Sequence, residues 1–131
     1  MKMKKKAMVL VVEDEADIRE GVTVWLEMSG FDVCCRNDGR DCAKFAATRR
    51  PSAILVDVRM PNMGGMEALN EIRRQPSTSD IPVIMLSADL RDEQRALDAG
   101  ASYFVPKPYN GKQLASIVKL VTNREMAECS C

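Results

Sequence analysis

The chain has 131 residues, 46% of them hydrophobic, which is enough for one folded domain with a substantial core and leaves no room for a second. Its 19 basic and 19 acidic residues balance, and no apolar run approaches the roughly 18 residues of a membrane span, which excludes a membrane-spanning protein. The five cysteines, odd in number and without framework spacing, favour a reducing compartment, so we expect a cytoplasmic protein.

Both ends of the chain are expected to be tails. Four lysines lie within the predicted basic tail 1–6: Lys2, Lys4, Lys5 and Lys6. Such a cluster can contact nucleic acid or anionic lipid, but a short charged end is more often only solvated, so we expect no direct nucleic-acid or membrane partner. The folded domain is expected over 7–125. In the C-terminal tail 126–131, Cys129 and Cys131 lack the histidine or second cysteine pair that would complete a soft-metal site.

Between these tails, five short apolar runs alternate with five stretches of helical periodicity. The runs cover 8–12, 31–35, 53–56, 82–86 and 103–105. The first helical stretch spans 17–29, and its apolar face, expected to pack in the core, comprises Ile18, Val22, Trp25 and Leu26. Later helices begin near residues 42, 66 and 91, and the last follows its predicted cap, Asn110. This alternation predicts an α/β fold, a doubly wound parallel sheet of five strands with five helices on its two faces.

Acidic side chains stand where two of these strands end. Glu13 and Asp14 follow the first apolar run, and Asp57 follows the third. If these strands are adjacent and parallel, the three carboxylates meet at the carboxyl edge of the sheet, where open α/β sheets bind ligands. Carboxylates so placed repel one another unless a cation lies among them, and hard oxygen ligands suit Mg²⁺. The sequence therefore predicts a divalent-metal site beside a potentially nucleophilic aspartate.

Short motifs at successive strand ends occur in a recognisable order. They are Val11, Val12, Glu13 and Asp14, then Asp57, Val58, Arg59, Met60 and Pro61 with Gly65, then Ser87 and Ala88, and finally Gly100 and Ala101 leading to Lys107 and Pro108. Over about residues 7–125 the chain resembles the receiver domain of two-component response regulators, and in particular stand-alone receivers such as the chemotaxis regulators. The resemblance implies a flavodoxin-like strand order, 2-1-3-4-5.

The resemblance also implies roles for individual residues. Asp57 would accept a phosphoryl group from a sensor histidine kinase or a phosphotransfer protein. Asp14 and Asp57 would hold Mg²⁺ with the backbone carbonyl of Arg59, and Glu13 would reach the ion through a water molecule. Such a domain catalyses only its own phosphorylation and slow dephosphorylation, so we expect no other enzymatic activity.

Phosphoryl transfer also requires donors on the far side of the group from the metal, because its oxygens carry the developing charge. Lys107 and Ser87 follow the fifth and fourth apolar runs and can supply an ammonium and a hydroxyl. In the family, the bond between the matching lysine and proline is cis. The resemblance makes Ser87 and Phe104 the switch residues, with output through protein contacts to an unidentified effector, and dimerisation on phosphorylation is a further expectation.

Two residues are expected at the mouth of the phosphorylation pocket. Arg59 lies two positions after Asp57, and Asp89 lies two positions after Ser87. Because they carry opposite charges, we predict an ion pair between Arg59 and Asp89 that obstructs water approaching the phosphorylated aspartate.

Other functions are less compatible with these motifs. The domain can be the receiver portion of a longer regulator with a DNA-binding or enzymatic output. A haloacid dehalogenase type of phosphatase also uses a strand-end aspartate, but its Asp-x-Asp motif has Arg59 here in the second acidic position. A flavodoxin-type flavin carrier needs glycine and hydroxyl residues after the first strand, where this chain is acidic.

Overall fold

The computed structural model of this chain describes residues 6–122. Five strands alternate with five helices in this range. The strands are β1 (Met8–Val12), β2 (Asp32–Arg36), β3 (Ala53–Asp57), β4 (Val83–Ser87) and β5 (Tyr103–Pro106). The helices are α1 (Ala16–Met28), α2 (Cys42–Arg49), α3 (Gly65–Arg74), α4 (Asp92–Asp98) and α5 (Gly111–Thr122). Of the two predicted tails, all but Lys6 lies outside the described residues.

The strands form one parallel sheet in the order β2-β1-β3-β4-β5, which confirms the predicted fold and strand order. Its register determines which side chains meet at the carboxyl edge. Val12 pairs with Val56, so the residues that follow, Glu13 and Asp57, lie side by side. Asp57 in turn pairs with Leu86, which places Ser87 just beyond it on β4.

The core consists of two apolar layers, one on each face of the sheet. The residues of β3 and β4 are all buried, as expected for parallel strands covered on both sides. Helices α1 and α5 cover one face, where Val22, Leu26 and Val118 pack on the strands. Helices α2, α3 and α4 cover the other face through residues such as Ile72 and Ala96. Each large aliphatic side chain buried in these layers contributes about 1.5–3 kcal/mol.

The prediction that Trp25 packs in the core is wrong. On α1, Val22 and Leu26 are buried as predicted, but Trp25 is 41% exposed. Its indole lies against Gly111 at the start of α5, where even an added Cβ atom would overlap the ring. Trp25 lines a cleft of about 520 Å³ between α1 and the β5–α5 loop, together with Lys107. The ring thus covers the start of α5 from the solvent side and does not enter the core.

The last helix begins as predicted. The side-chain oxygen of Asn110 accepts hydrogen bonds from the backbone N–H groups of Lys112 (2.8 Å) and Gln113 (3.3 Å). These bonds satisfy donors that the first turn of a helix leaves without partners. No helix within residues 6–122 is both long enough and apolar enough to cross a lipid bilayer.

Candidate functional site

The three predicted acids converge at the carboxyl edge of the sheet. Carboxylate oxygens of Glu13, Asp14 and Asp57 all lie within 4.8 Å of one another. Glu13 and Asp57 are only 1% and 4% exposed, because they lie at the carboxyl ends of β1 and β3, two inner strands of the sheet. Asp14, one residue further along the loop, is more accessible to solvent.

Lys107 completes this cluster. It follows β5, and its backbone N–H donates to the carbonyl of Ser87 at 2.8 Å. The Lys107–Pro108 peptide bond is cis, as the resemblance implied. The lysine Nζ donates to Asp57 Oδ2 at 2.6 Å and to Glu13 Oε1 at 3.1 Å. A single ammonium group thus bridges the two buried carboxylates.

Burial and mutual repulsion change the titration of these groups. Burial, together with the negative charge of Asp57, raises the pKa of Glu13 to about 7, although the hydrogen bond from Lys107 acts in the opposite direction. Burial also acts to lower the pKa of Lys107, but hydrogen bonds and charges from Asp57 and Glu13 outweigh it and raise that pKa. The ammonium group therefore remains charged and partly neutralises the cluster.

The cluster fits a hard divalent cation. It offers only oxygen ligands, with Asp14 on the solvent side and Asp57 Oδ1 turned away from the lysine contact. The backbone N–H of Arg59 donates to Asp57 Oδ1 at 3.1 Å, which places the backbone of this loop beside the carboxylate. Few protein ligands and an open side are typical of Mg²⁺ sites, where the ion keeps several waters.

Gly65 allows the next loop to close against the site. Its N–H donates to the carbonyl of Val58 at 2.9 Å, and a Cβ atom at this position would overlap the backbone carbonyl of Asp57. Only glycine permits this close approach between α3 and the end of β3. This is a physical reason for the Gly65 in the motif.

Ser87 lies in the same cleft as Asp57, but its hydroxyl points to another partner. The cleft measures about 750 Å³, and its lining includes Asp57, Arg59, Ser87, Asp89 and Lys107. The Ser87 hydroxyl donates to Asp92 Oδ2 at 2.7 Å and accepts from the N–H of Asp89 at 3.0 Å. Asp92, the first residue of α4, is only 1% exposed. Asp92 is not among the site residues that the sequence motifs predict.

The predicted Arg59–Asp89 ion pair is present, at 3.3 Å, but it is not the principal contact of Arg59. The guanidinium donates twice to Asp92, at 2.9 and 3.1 Å, and this contact lowers the pKa of Asp92. Asp89 is bound more closely by Arg91, at 2.8 Å, and hydrogen bonds from Arg91 lower the pKa of Asp89 to about 2. Arg59 therefore binds two acids that follow Ser87, Asp89 and Asp92, and the closer contact is with Asp92.

Phe104, the other predicted switch residue, is partly buried. It packs against the apolar layer under α2, α3 and α4, whereas its neighbour Tyr103 is 37% exposed. On β5, Phe104 pairs with Met85 of β4. Its predicted role in switching stays a prediction.

Comparison with known proteins gives consistent matches. Residues 9–119 match the family model of the response regulator receiver domain. The phosphate regulon transcriptional regulatory protein PhoB of Pseudomonas aeruginosa is 33% identical over 118 residues, which cover 88% of this chain and 52% of PhoB. The probable transcriptional regulator ycf27 of Guillardia theta is 34% identical over 124 residues, or 93% of this chain and 48% of ycf27. The chain thus spans about half the length of these curated relatives.

Solved structures match over nearly their whole length. The chemotaxis response regulator CheY4 of Vibrio cholerae superposes with a TM-score of 0.82 at 31% identity, covering 89% of this chain and 99% of CheY4. The receiver domain of the sensor histidine kinase PA1611 from Pseudomonas aeruginosa PAO1 has a TM-score of 0.84 at 29% identity, covering 91% and 99%. That structure has a magnesium ion coordinated in its active site cleft.

Proposed function

Because this chain belongs to the response regulator receiver domains, we propose that Asp57 accepts a phosphoryl group and that this modification switches the protein's contacts with an effector. The observation that carries the proposal is the contact of 2.6 Å between Lys107 Nζ and Asp57 Oδ2 at the bottom of the cleft. It places a fixed cation where a phosphoryl group on Asp57 would carry negative charge.

The reaction needs little beyond positioning and charge neutralisation. A carboxylate oxygen of Asp57 attacks the phosphorus of a phosphohistidine, a P–O bond forms, and the P–N bond breaks with its electron pair passing to the imidazole nitrogen. Lys107 neutralises charge on the phosphoryl oxygens during this transfer. Hydrolysis then returns the free carboxylate and inorganic phosphate. We propose no other enzymatic activity for this domain.

We assign the acidic cluster to Mg²⁺. Asp14, Asp57 and the backbone carbonyl of Arg59 would hold the ion, with Glu13 acting through a water molecule. The ion would supply Lewis-acid neutralisation of the phosphoryl oxygens. The all-oxygen ligand set and the solvent-facing position of Asp14 support this assignment.

The partners follow from the family. Receiver domains in two-component systems receive the phosphoryl group from histidine kinases or phosphotransfer proteins, and we propose such a donor here. We also propose a cytoplasmic location, which the free thiols of Cys34, Cys35 and Cys42 support. The effector, and any dimer formed on phosphorylation, would contact the α4, β5 and α5 face, where Leu90, Leu97 and Leu120 are exposed.

The length of the curated relatives favours a second candidate function. PhoB and ycf27 are named as transcriptional regulators, and this chain covers about half of each. The domain would then be the receiver portion of a longer regulator with a DNA-binding or enzymatic output. The chemistry at Asp57 is the same in both cases.

Phosphorylation of the isolated chain tests the proposal. Incubation with acetyl phosphate and Mg²⁺ should add one phosphoryl group, detected by intact-mass spectrometry and removed by hydroxylamine, as expected for an acyl phosphate. Borohydride reduction followed by peptide sequencing should locate the group at Asp57. A label on any other residue would refute the assignment.

The metal assignment predicts that Asp14→Asn weakens Mg²⁺ binding by at least about tenfold, since even loss of a supporting residue around a metal has an effect of that size. Isothermal titration of the unphosphorylated protein measures this affinity. Asp98→Asn, an exposed acid on α4 away from the cluster, is the matched control and should bind Mg²⁺ like the wild type. Equal affinity in Asp14→Asn would place the metal elsewhere.

The pocket-mouth residues are predicted to prolong the phosphorylated state. Arg59→Ala and Asp89→Ala should each shorten the phosphoryl half-life by about tenfold, because the pair obstructs water approaching the phosphoaspartate. The double variant should be no faster than the faster single variant. Arg95→Ala, which removes another exposed arginine from α4, is the control and should leave the half-life unchanged. Longer half-lives in the single variants would show that the pair assists hydrolysis.

A further inference from the structure

We propose that Asp92 is a positioning residue that restrains the Ser87 hydroxyl in the unphosphorylated protein, and that release of this contact displaces the start of α4. This inference rests on the proposed phosphorylation of Asp57. It assigns a function to a buried acid that neither the metal site nor the phosphoryl transfer uses.

The burial of Asp92 requires an explanation. An acid in the first turn of a helix is favourable even when it is exposed, because it faces the positive end of the helix dipole. Glu93, the next residue of the same turn, is exposed in this way. The Asp92 side chain is only 2% exposed, and burying a carboxylate is unfavourable unless it is paired. Its position therefore depends on specific partners and not on the helix alone.

Those partners are Arg59 and Ser87. The guanidinium of Arg59 binds both carboxylate oxygens of Asp92, at 2.9 and 3.1 Å, and so fixes the orientation of the carboxylate. Oδ2 of Asp92 then accepts the Ser87 hydroxyl at 2.7 Å. Arg59 comes from the loop after β3, whereas Ser87 ends β4. The three residues thus form a chain of charge-assisted hydrogen bonds that connects the loop after β3 to the first residue of α4.

The arrangement determines what Ser87 can do. A serine hydroxyl carries one proton, and here that proton is donated to Asp92. Its oxygen also accepts the N–H of Asp89 at 3.0 Å. Ser87 cannot donate to a phosphoryl oxygen on Asp57 until the contact with Asp92 breaks. The restraint therefore opposes the phosphorylated arrangement.

A phosphoryl group would reverse this balance. It adds roughly one and a half to two negative charges and three strong acceptor oxygens. Asp57, Arg59 and Ser87 line one cleft, so these oxygens compete with Asp92 for both of its partners. A buried carboxylate left without partners is unfavourable and moves toward solvent. Because Asp92 begins α4, that movement displaces the first turn of the helix.

Binding of beryllofluoride, a phosphoryl mimic, in the presence of Mg²⁺ tests the restraint. Asp92→Ala should bind beryllofluoride about tenfold more tightly than the wild type, the effect expected on removing one hydrogen bond to a charged group. Asp98→Ala is the matched control, since its side chain lies on the same helix, is exposed, and accepts only from Gln94. The affinity of this control should equal that of the wild type.

A double-mutant cycle separates positioning from a merely structural role. In a Ser87→Ala background, Asp92→Ala should increase the affinity clearly less than in the wild-type background, because only Arg59 is left to be released. A general loosening of the β4–α4 loop would increase the affinity equally in both backgrounds. Equal gains with and without Ser87 would therefore overturn the inference.

Asp92→Asn covers the case in which the alanine variant does not fold. Its amide oxygen still accepts the Ser87 hydroxyl, but without charge, and a charge-assisted hydrogen bond is about twice as strong as a neutral one. We therefore expect a gain of about threefold. No gain in a folded Asp92 variant, with thermal unfolding as the check on folding, would overturn the inference.

The same titrations distinguish this inference from the proposed function. If beryllofluoride binding is unchanged in Asp57→Asn, the proposed function fails. If binding depends on Asp57 but the Asp92 variants bind like the Asp98→Ala control, only the role of Asp92 fails. In NMR spectra of the wild type with beryllofluoride, the amide signals of residues 89–93 should shift most within α4 and the loop before it.

Discussion

Asp57→Asn is expected to abolish phosphoryl labelling by acetyl phosphate. The amide that replaces the carboxylate is not a nucleophile, and no other carboxylate in the described residues contacts Lys107 from so short a distance. Glu13 is the nearest rival, because its Oε1 lies 3.1 Å from the same Nζ. Glu13 would reach Mg²⁺ only through a water molecule, however, whereas Asp57 would hold the ion directly and also makes the shorter contact with Lys107. Intact-mass spectrometry at equal times and concentrations measures the loss.

Asp98→Asn is the control for this experiment, since it removes an equal charge from the surface of α4 and should be labelled like the wild type. Labelling of Asp57→Asn that hydroxylamine removes would show that Glu13 or Asp14 accepts the phosphoryl group. The proposal for Asp57 would then be wrong, although the site as a whole would still transfer phosphate.

Lys107→Ala is expected to lower the free energy of unfolding by about 3 kcal/mol in the absence of Mg²⁺. Removing one partner of a buried ion pair leaves the other charge uncompensated, which typically costs about 3–5 kcal/mol. Here one ammonium compensates two carboxylates, Glu13 and Asp57, that are almost fully buried. Urea denaturation at a pH well above 7, where Glu13 is ionised, measures the change.

Mg²⁺ provides an internal check on this prediction. An ion that binds the folded protein stabilises it by mass action, and in Lys107→Ala the ion would also replace the missing positive charge. Added Mg²⁺ should therefore stabilise Lys107→Ala more than the wild type. Lys112→Ala, at an exposed position on α5, should change stability by less than about 0.5 kcal/mol. If Lys107→Ala is as stable as the wild type without Mg²⁺, the ammonium group is not holding the acids together.

The fold could be predicted because its physical determinants are local in sequence. Parallel strands buried on both faces appear as uninterrupted apolar runs, and β3 and β4 meet this condition fully. The edge strand β2 is half exposed, and the prediction placed it one residue too early, at 31–35. Phe31 is 7% exposed but packs in the core before the strand begins. The hydrophobicity of Phe31 therefore indicates that the side chain is buried, but it does not indicate that the residue belongs to the strand.

The acid cluster could be predicted for a similar reason. Adjacent parallel strands bring together the residues at their carboxyl ends. The proximity of Glu13 and Asp57 could therefore be predicted without knowing the conformation of any side chain. The contact between Arg59 and Asp92 could not be predicted in this way, because a long, flexible arginine side chain can reach several acidic partners. The sequence placed Asp89 at a matching position for Arg59, but the backbone of the β4–α4 loop turns Asp92 inward as well. That turn is a tertiary property, and no spacing in the sequence specifies it.

The exposure of Trp25 could not be predicted, because helical periodicity indicates which face of the helix a residue lies on but not how deeply its side chain is buried. Its consequence is practical, since Trp25 is the single tryptophan in the chain. The indole rests on Gly111 and borders the cleft that Lys107 also lines. Intrinsic fluorescence excited at the indole band therefore comes from one place, beside the loop that carries the site's only ammonium in the described residues. We therefore expect the emission of Trp25 to change when the β5–α5 loop rearranges, so that the loop can be followed without an attached dye.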